Sequence, residues 1–461
     1  MMFPSYPEYK EAEVEWLDEV PEHWCSAPIK YMALERNSLF LDGDWIESKD
    51  ISSEGIRYIT TGNVGEGAYK EQGVGFVSEE TFYSLGCTEV YKGDILISRL
   101  NNPIGRACIT PDLGGRVVTS VDNVIFRPDA KYHKKFIVYL FSSEEYFRHT
   151  GNLARGTTMQ RISRGVLGNI RVIIPPLSEQ TQIARFLDYE TARIDALIEE
   201  QQRLIELLKE KRQAVISHAV TKGLDSTVPM KDSGVEWLGE VPAHWESWKI
   251  SHAFGEIGSG TTPATSEAKW YENGNIPWVT TGELRENVIW ETKKLLSSTA
   301  LSAFSALRLH PAGSLAIAMY GATIGRLGIL GVDATTNQAC CLLTRPKDLH
   351  VKFTFYWLLA FKQSIIDLYA SGGGQPNINQ EVIANLKISA PGVPEQTRIA
   401  YFLDYEVARV DALIDEQQLL TELLQERRSA LISAAVTGKI DVRGWQPPAQ
   451  APSPESAQEV M

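Results

Sequence analysis

Two stretches of the chain place hydrophobic residues at alternating steps of three and four, the spacing of a helix that buries one face. Residues 178–220 contain neither proline nor glycine, and residues with high helix propensity dominate them. Ser178 is a suitable N-cap and Gly223 a suitable stop. The pattern predicts a long helix over 177–222. The same spacing returns 216 residues later and predicts a second helix over 393–438.

The periodic positions also predict which side chains pack between the two helices. Because the steps fall at the same places in both segments, the seams match and favour a two-stranded coiled coil. Packing of each helix on its own neighbouring module is the alternative. The predicted pairing residues are Ile194, Leu197, Gln201, Leu204 and Leu208 in the first helix and Val410, Leu413, Gln417, Leu420 and Leu424 in the second.

The sequence before each helix has a different character. Residues 25–176 and 246–392 are rich in glycine, proline, threonine and β-branched runs such as GDILISRL and GSLAIAMY, which predict short strands joined by turns. Helical patterns occur within them near 136–149 and 353–369. The predicted fold class is α+β: two globular modules of mixed α/β structure with short strands, separated by two long helices that form an antiparallel coiled coil.

The two halves of the chain repeat one plan. LSEQTQIARFLDYETARIDALI at 177–198 returns as VPEQTRIAYFLDYEVARVDALI at 393–414 with 16 of 22 positions identical, and VEWLDEVPEHW at 14–24 returns as VEWLGEVPAHW at 235–245. A period this long indicates duplicated domains rather than a solenoid. Because each module leads into the start of one helix, we expect an antiparallel pair. It would form a rod of roughly 60 Å with one module at each end and a pseudo-twofold axis through its middle.

This plan divides the chain into segments. The repeated tryptophans Trp16, Trp24, Trp237 and Trp245 are expected to anchor cores, with capping of the rod or docking of a partner as the alternative. The predicted segments are 1–24, which is repeated at 232–245; a first module at 25–176; a long helix at 177–222; a linker with the repeated segment at 223–245; a second module at 246–392; a long helix at 393–438; and a disordered tail rich in Pro, Ala and Glu at 439–461.

Charge is unevenly distributed along this acidic chain. The net charge is -13, yet residues 99–171 hold twelve Lys and Arg against five Asp and Glu. Since screening limits each charge to about 10 Å, an acidic scaffold can carry a basic module that binds DNA. The acidic N-terminus does not resemble a signal peptide, and no apolar run suits a membrane span, so we expect a cytoplasmic location. The five cysteines show no metal-ligand spacing and are expected to be buried, reduced thiols.

Sequence motifs that carry catalysis are missing. There is no P-loop, since VTGKI at 436–440 lacks the upstream glycine, and no HExxH or GxSxG. The [DN]PP[YF] signature of amino-methyltransferases is missing too, because Ile174 and Gln446 precede the two Pro-Pro pairs. Two similar modules at the ends of a rod match duplex DNA, whose local dyads face any bound twofold object. The rod would then set the gap between two short sequences that the modules read.

The ordered, duplicated set of motifs resembles the specificity subunit of type I restriction-modification systems. The pattern stands here as PPLSEQTQIARFLDYETARIDALI (175–198) and APGVPEQTRIAYFLDYEVARVDALI (390–414), with the VEWLGEVPxHW and GxxIGR elements. The second copy departs at the start of its helix, where Pro-Gly-Val-Pro replaces Pro-Pro-Leu. The resemblance implies two target-recognition domains that bind a bipartite, asymmetric sequence in double-stranded DNA.

The resemblance also implies partners, and no cofactor in this chain. Two methyltransferase subunits would bring S-adenosylmethionine and flip the target adenines. Two restriction subunits driven by ATP and Mg would join for cleavage, and no membrane is involved. A coiled-coil scaffold or adaptor with two ligand-binding modules and no role on DNA is the alternative, and co-purification of a methyltransferase would discriminate between them.

Polar loops that follow apolar strands supply the candidate DNA contacts. Arginine can engage guanine bidentately and asparagine adenine, and residues that differ between the halves should carry specificity because the half-sites differ. For Arg106 and Arg326, which are repeated, a turn-closing role or a phosphate contact is favoured over base reading. The candidates are Asn63, Arg99, Asn101, Asn102, Arg106, Arg155, Thr157, Gln160, Arg161 and Arg164 in the first module and Arg285, Tyr320, Thr323, Arg326, Asn337, Gln338, Gln375, Asn377 and Asn379 in the second.

Overall fold

The computed structural model describes residues 3–73, 75–156, 159–235, 237–370 and 376–448. The chain divides into two compact units. The first unit contains residues 1–202 and 419–461, and the second contains residues 203–418. Each unit therefore combines one β-rich module with the start of one long helix and the end of the other. Residues 449–461 of the predicted disordered tail lie outside the described residues.

The first unit is built from short strands in small sheets. Four strands of the first module form an antiparallel sheet in the order β4-β11-β8-β9, and four others form a sheet in the order β10-β6-β7-β5, in which β10 and β6 are parallel. The elements are β1 (Tyr9–Glu11), β2 (Glu19–Pro21), β3 (Cys25–Pro28), β4 (Leu39–Asp42), β5 (Ile51–Ser52), β6 (Ile56–Ile59), β7 (Gly75–Val77), α1 (Glu79–Leu85), β8 (Ile95–Ser98), β9 (Ala107–Ile109), β10 (Val117–Thr119), β11 (Asn123–Arg127), α2 (Lys134–Leu140), α3 (Glu144–Leu153), α4 (Arg164–Asn169), β12 (Arg171–Ile174) and α5 (Leu177–Lys222), which continues into the second unit.

The second unit follows the same plan. Its central sheet has the order β16-β23-β20-β21-β18, and a smaller sheet has the order β19-β17-β22. The elements are β13 (Met230–Asp232), β14 (Glu240–Pro242), β15 (Glu246–Lys249), α6 (Ile250–Ala253), β16 (Phe254–Ser259), β17 (Ile276–Val279), β18 (Asn287–Ile289), β19 (Leu295–Leu296), α7 (Ser298–Ala303), β20 (Leu315–Ala318), β21 (Leu327–Leu330), β22 (Thr335–Thr336), β23 (Cys340–Pro346), α8 (Val351–Tyr369), α9 (Gln380–Asn385), β24 (Lys387–Ala390) and α10 (Val393–Val436), whose end belongs to the first unit.

The central strand of each module is covered on both faces. In β8, Ile95 and Ile97 pack into the main core, whereas Leu96 between them packs into a separate cluster on the opposite face. In β20, Leu315 and Ala316 divide between two clusters in the same way. A strand buried on both sides reads as a continuous apolar run, which is why GDILISRL and GSLAIAMY lack polar alternation.

The long helices pack against each other within each unit, and they run antiparallel there. In the first unit, Arg428 of α10 donates from Nε to Asp195 Oδ1 of α5 at 2.7 Å. In the second unit, Arg212 of α5 donates from Nε to Asp411 Oδ1 of α10 at the same distance. The two ion pairs join corresponding positions of the repeat, because Asp195 aligns with Asp411 and Arg212 with Arg428.

The buried seam differs from the predicted one. Of the predicted pairing residues, Ile194 and Val410 are buried, while Leu197, Leu204, Leu413 and Leu420 are each 38–40% exposed. The apolar contact in the second unit joins Ile205, Val410 and Ile414, with Leu208 packed beside them. The buried face of α5 therefore contains Ile205 in place of the predicted Leu204. Gln201, Gln417 and Leu424 are half-buried.

The Glu-Gln pair occurs at the start of both long helices, and two hydrogen bonds of its glutamine are the same in each copy. Gln396 is fully buried, donates to Asp348 O at 2.9 Å and Pro391 O at 2.8 Å, and accepts from His350 N at 2.7 Å. Gln180 makes matching bonds to Pro175 O and His133 N. The amide thus ties the start of each long helix to the preceding module.

The repeated His-Trp pair lies beside the glutamate at the start of the long helix; both side chains bond to it in the first unit and His244 alone in the second. Trp24 donates from Nε1 to Glu179 Oε2 at 3.0 Å, and the His23 imidazole lies 2.6 Å from Glu179 Oε1. His244 lies 3.0 Å from Glu395 in the second unit. Trp24 and Trp245 are buried core anchors, whereas Trp16 and Trp237 are half-buried. The opening segment of each half therefore packs on the start of its own long helix.

We expect Gln396→Ala to lower the free energy of unfolding by about 3 kcal/mol, because it removes the partner of one buried and two partly buried backbone groups. Urea denaturation followed by tryptophan fluorescence measures the change. Gln418→Ala is the control on the exposed face of the same helix and should change stability by less than about 0.5 kcal/mol. Equal midpoints for both variants would contradict the assigned role of the buried amide.

Two further expectations require correction. Cys25 is exposed on β3, while Cys87, Cys108, Cys340 and Cys341 are buried, and all five are free thiols. Alternation along a short strand of a two-stranded sheet places Cys25 on the solvent side. Residues 439–448, assigned to a disordered tail, instead pack on the first unit, where Val442 is buried in the core.

Membrane-spanning helices and clusters of metal-ligating side chains are both missing from the described part of the chain. None of its helices is long and apolar enough to cross a membrane. Its His, Cys, Asp and Glu side chains form no group of three or more that could hold a metal ion.

Candidate nucleic-acid interface

Two predicted loops of the first module lie side by side. The loop after β8 and the loop before α4 are joined by a β-bridge between Leu100 and Arg161, and Asn101 N donates to Gln160 O at 3.2 Å. Arg155 pairs with Arg161 across the second loop. The folded chain therefore brings together candidates that are some sixty residues apart in sequence.

Several candidates on these loops are available to an external ligand. Asn101, Asn102, Arg155, Gln160 and Arg161 are exposed. Asn101 has φ 63°, a left-handed backbone conformation that asparagine tolerates better than most residues. Arg164 is half-buried at the start of α4, and Thr157 lies outside the described residues.

Other candidates are buried and bonded to groups of the protein itself. Arg99 is 4% exposed, donates to the carbonyl oxygens of Ile162 and Val121, and lies 3.1 Å from Asp42 Oδ1. Arg106 is 9% exposed. Burial lowers the pKa of both guanidinium groups. The structure thus places both arginines beneath the loop surface, so contact with bases through them stays an untested prediction.

Asn63 lies in a structural turn. Its Oδ1 accepts from Thr60 N at 3.0 Å, and its Nδ2 donates to Gln72 O at 2.8 Å. Glu283 occupies the aligned position and caps Thr280 in the same way, with Glu283 Oε2 2.6 Å from Thr280 N. The repeated Thr-Thr-Gly sequence therefore closes a turn in both units.

Two acidic residues form ion pairs with arginines of the basic loops. They were not identified from the sequence. Asp122 Oδ1 lies 2.7 Å from Arg161 Nη2, and Asp42 Oδ2 lies 3.6 Å from Arg164 Nε. Asp42 also faces Arg99. These carboxylates hold three arginines in place and leave the cluster with an excess of positive charge. No local signal could reveal them, because Asp42 and Asp122 belong to other segments.

The second module brings the corresponding loops together. Tyr320, which follows β20, forms a β-bridge with Asn377, and Ile378 N donates to Met319 O at 2.8 Å. Tyr320 aligns with Leu100 and Asn377 with Arg161, so the same pair of positions meets in both units. Burial raises the pKa of the Tyr320 phenol.

The remaining described candidates of the second module differ in exposure and in hydrogen-bond partners. Gln338 is exposed and its Oε1 accepts from Thr262 Oγ1 at 2.5 Å, while Asn337 Oδ1 accepts from Ala339 N. Asn379 caps α9 by accepting from Val382 N at 2.8 Å. The other positions are an exposed Arg285, whose Nε donates to Gly282 O, half-buried Thr323 and Arg326, and Gln375, which lies outside the described residues.

The comparisons with known proteins agree on one class. A family model described as the type I restriction modification DNA specificity domain matches residues 40–208 and again residues 242–423. The MjaX protein of Methanocaldococcus jannaschii, a putative type I restriction enzyme specificity subunit, is 24% identical over 456 residues, 96% of this chain and 99% of the relative. The MjaVIII specificity subunit of the same organism is 28% identical over 302 residues, 63% of this chain and 66% of the relative.

Solved structures show the same fold. A chain from a structure that describes complex assembly and conformational transition of the type I R-M system matches with a TM-score of 0.66 at 18% identity, covering 91% of this chain and 99% of that chain. The HsdS subunit from Thermoanaerobacter tengcongensis matches with a TM-score of 0.52 at 17% identity, covering 91% and 98%. The shared architecture is a pair of mixed α/β modules with a long helix between them.

Proposed function

This chain belongs to the type I restriction-modification DNA specificity family, and from that membership we propose that it reads a bipartite, asymmetric DNA target without catalysing any reaction itself. It carries two specificity domains, one in each half of the chain. In this proposal each domain reads one half-site, and the long helices set the unread spacer between them.

The observation that carries the proposal is that the same two loops meet in both units while their exposed side chains differ. Arg161 and Asn377 occupy aligned positions and make the corresponding bridge. Asn101 in the first unit aligns with Gly321 in the second. A common scaffold that presents different hydrogen-bonding groups suits two half-sites of different sequence.

The two classes of exposed residue suit two kinds of contact. Amide side chains match the donor and acceptor pattern of base edges, and arginines match phosphates or guanine. We assign base reading to Asn101, Asn102 and Gln160 in the first domain and to Gln338 and Asn377 in the second. Arg155, Arg161 and Arg164 are assigned to phosphates of the first half-site. The second domain would rely more on neutral hydrogen bonds.

The chemistry would come from partner subunits. Two methyltransferase subunits would supply S-adenosylmethionine and the adenine pocket, and two ATP-dependent restriction subunits with Mg would join for cleavage. The family membership supports this assignment, and so does the sequence, which lacks the [DN]PP[YF] and P-loop motifs.

Adenine methylation in the host genome tests the proposal. A strain that expresses the methyltransferase subunit together with this chain should show one bipartite motif, and that motif should vanish when the chain is deleted. The methyltransferase subunit should also co-purify with the chain. If the methylome is the same in both strains and no methyltransferase co-purifies, the proposal fails and the scaffold alternative is favoured.

We expect Arg161→Ala and Arg164→Ala each to reduce the salt dependence of DNA binding. The slope of log K against log salt is negative, and each lost phosphate contact reduces its magnitude by about 0.9. Affinity should fall by the same factor on target and unrelated DNA. Fluorescence anisotropy of the methyltransferase complex between low and moderate salt measures the slope. Lys209→Ala on α5, where Lys209 pairs with Glu206, is the control for loss of a positive charge. An unaltered slope for both arginine variants would exclude their phosphate contacts.

A further inference from the structure

Arg106 sits beneath the loop that carries the exposed asparagines of the first domain. Its Nε donates to Val64 O at 2.7 Å, and its Nη2 donates to Thr61 O at 2.8 Å. Its Nη1 lies within hydrogen-bond distance of three further carbonyl oxygens, those of Leu100, Asn101 and Pro103, at 3.0, 3.2 and 3.2 Å. One guanidinium therefore joins two separate loops.

All these partners are backbone carbonyls, which explains the shape of the loop. Carbonyl oxygens from residues 100, 101 and 103 converge on one guanidinium group, so the loop curls around the cation. The side chains of Asn101 and Asn102 remain exposed. Arginine alone offers five N–H donors in a fixed planar fork, whereas lysine offers a single nitrogen.

The residue before Arg106 is constrained by the same arrangement. Gly105 has φ 85°, and a Cβ at this position would lie 2.8 Å from the hydroxyl oxygen of the buried Tyr146. Its N donates to Ser98 O at 2.8 Å, and Ser98 N donates to Arg106 O at 2.9 Å. These bonds close the hairpin and fix the point at which Arg106 enters the loop.

From this geometry we infer that Arg106 is a positioning residue for DNA recognition: it sets the conformation of the loop that reads the first half-site and does not itself contact DNA. The inference rests on the proposed function. The aligned Arg326 is half-buried, and the loop before it forms a short 3-10 helix at Gly321–Thr323 with its own backbone bonds. The repeated Gly-Arg pair thus supports two different loop conformations.

Arg106→Ala in the full chain, co-expressed with its methyltransferase subunit, tests the inference. We expect methylome sequencing to show a degenerate first half-site, with discrimination at its bases falling about tenfold or more, and an intact second half-site. The salt slope of binding should equal that of the unaltered chain, whereas Arg164→Ala should lower it. Amide hydrogen exchange at residues 100–104 should rise without DNA.

Arg127→Met is the control for loss of an ion-paired, half-buried arginine elsewhere in the same unit. Arg127 pairs with the buried Asp94 through bonds of 2.8 and 2.6 Å at the end of β11 away from the loop. This variant should lose stability while both half-sites keep their sequence. Arg326→Ala should leave the first half-site unchanged.

The outcomes separate the inference from the proposed function. If the unaltered chain directs no methylation motif, the proposed function fails. If it directs one and Arg106→Ala keeps the first half-site sequence, the inference alone is overturned. A salt slope that falls by about 0.9 would instead make Arg106 a phosphate contact. Arg106→Gln, which keeps two N–H donors, is measured in parallel so that a folding defect of the alanine variant leaves a readable result, and it should relax the same half-site.

Discussion

Inserting four residues into each long helix, after Gln202 in α5 and after Leu420 in α10, is expected to lengthen the unread DNA spacer by about two base pairs. Four helical residues add about 6 Å, and DNA rises about 3.4 Å per base pair. The spacer is read directly from the adenine-methylation motif of a host that expresses the variant. The two half-site sequences should stay the same, since neither reading loop is touched.

The ion pairs between the helices dictate where the insertions go. Asp195 pairs with Arg428, and Arg212 pairs with Asp411. Insertions at the matched sites fall between these two pairs in both helices and preserve each of them. An insertion in α5 alone, the control, puts unequal lengths of helix between the pairs, and we expect it to weaken assembly. A methylated motif with an unaltered spacer in the matched variant would refute the idea that the helices act as a ruler.

The long helices could be predicted from sequence because their signal is local and long. Absence of proline and glycine over more than forty residues, with apolar residues at helical spacing, leaves few alternatives. The position of the seam could not be fixed in the same way. Leu197 is followed by Ile198, and Leu204 by Ile205, so either residue of each pair completes a pattern of threes and fours. In the structure Ile205 is buried, whereas Leu204 is 39% exposed.

The burial of Arg99 and Arg106 could not be predicted from the sequence. Arg99 and Arg106 occur in a polar loop next to two asparagines. The sequence predicts base reading for Arg99 and favours a turn-closing role or a phosphate contact for Arg106, but it predicts burial for neither. Their burial depends on carbonyl oxygens and a carboxylate from segments tens of residues away, such as Val64, Val121 and Asp42. A polar loop therefore indicates the surface, and the tertiary fold determines which polar side chains face out.

The largest change in recognition is expected from Asn101→Ala and Asn102→Ala, which should alter the first half-site and leave the second one unchanged. Both side chains are exposed on the loop that Arg106 holds. A bidentate amide contact to adenine is worth about 1–3 kcal/mol of discrimination, so methylation at the affected base pair should lose about 5- to 150-fold selectivity. Methylome sequencing measures both halves of the motif in one experiment.

The second domain supplies the reciprocal control. Asn377 lies on the corresponding loop of the other unit, where it forms a β-bridge with Tyr320. The substitution Asn377→Ala should therefore alter only the second half-site. If each set of variants changes only its own half-site, the two domains recognise DNA independently. If either asparagine variant of the first domain changes both halves, the loops do not read separate sites. If Asn101→Ala and Asn102→Ala both leave the first half-site intact, base reading must reside elsewhere on that surface, with Gln160 as the remaining exposed amide among the candidates.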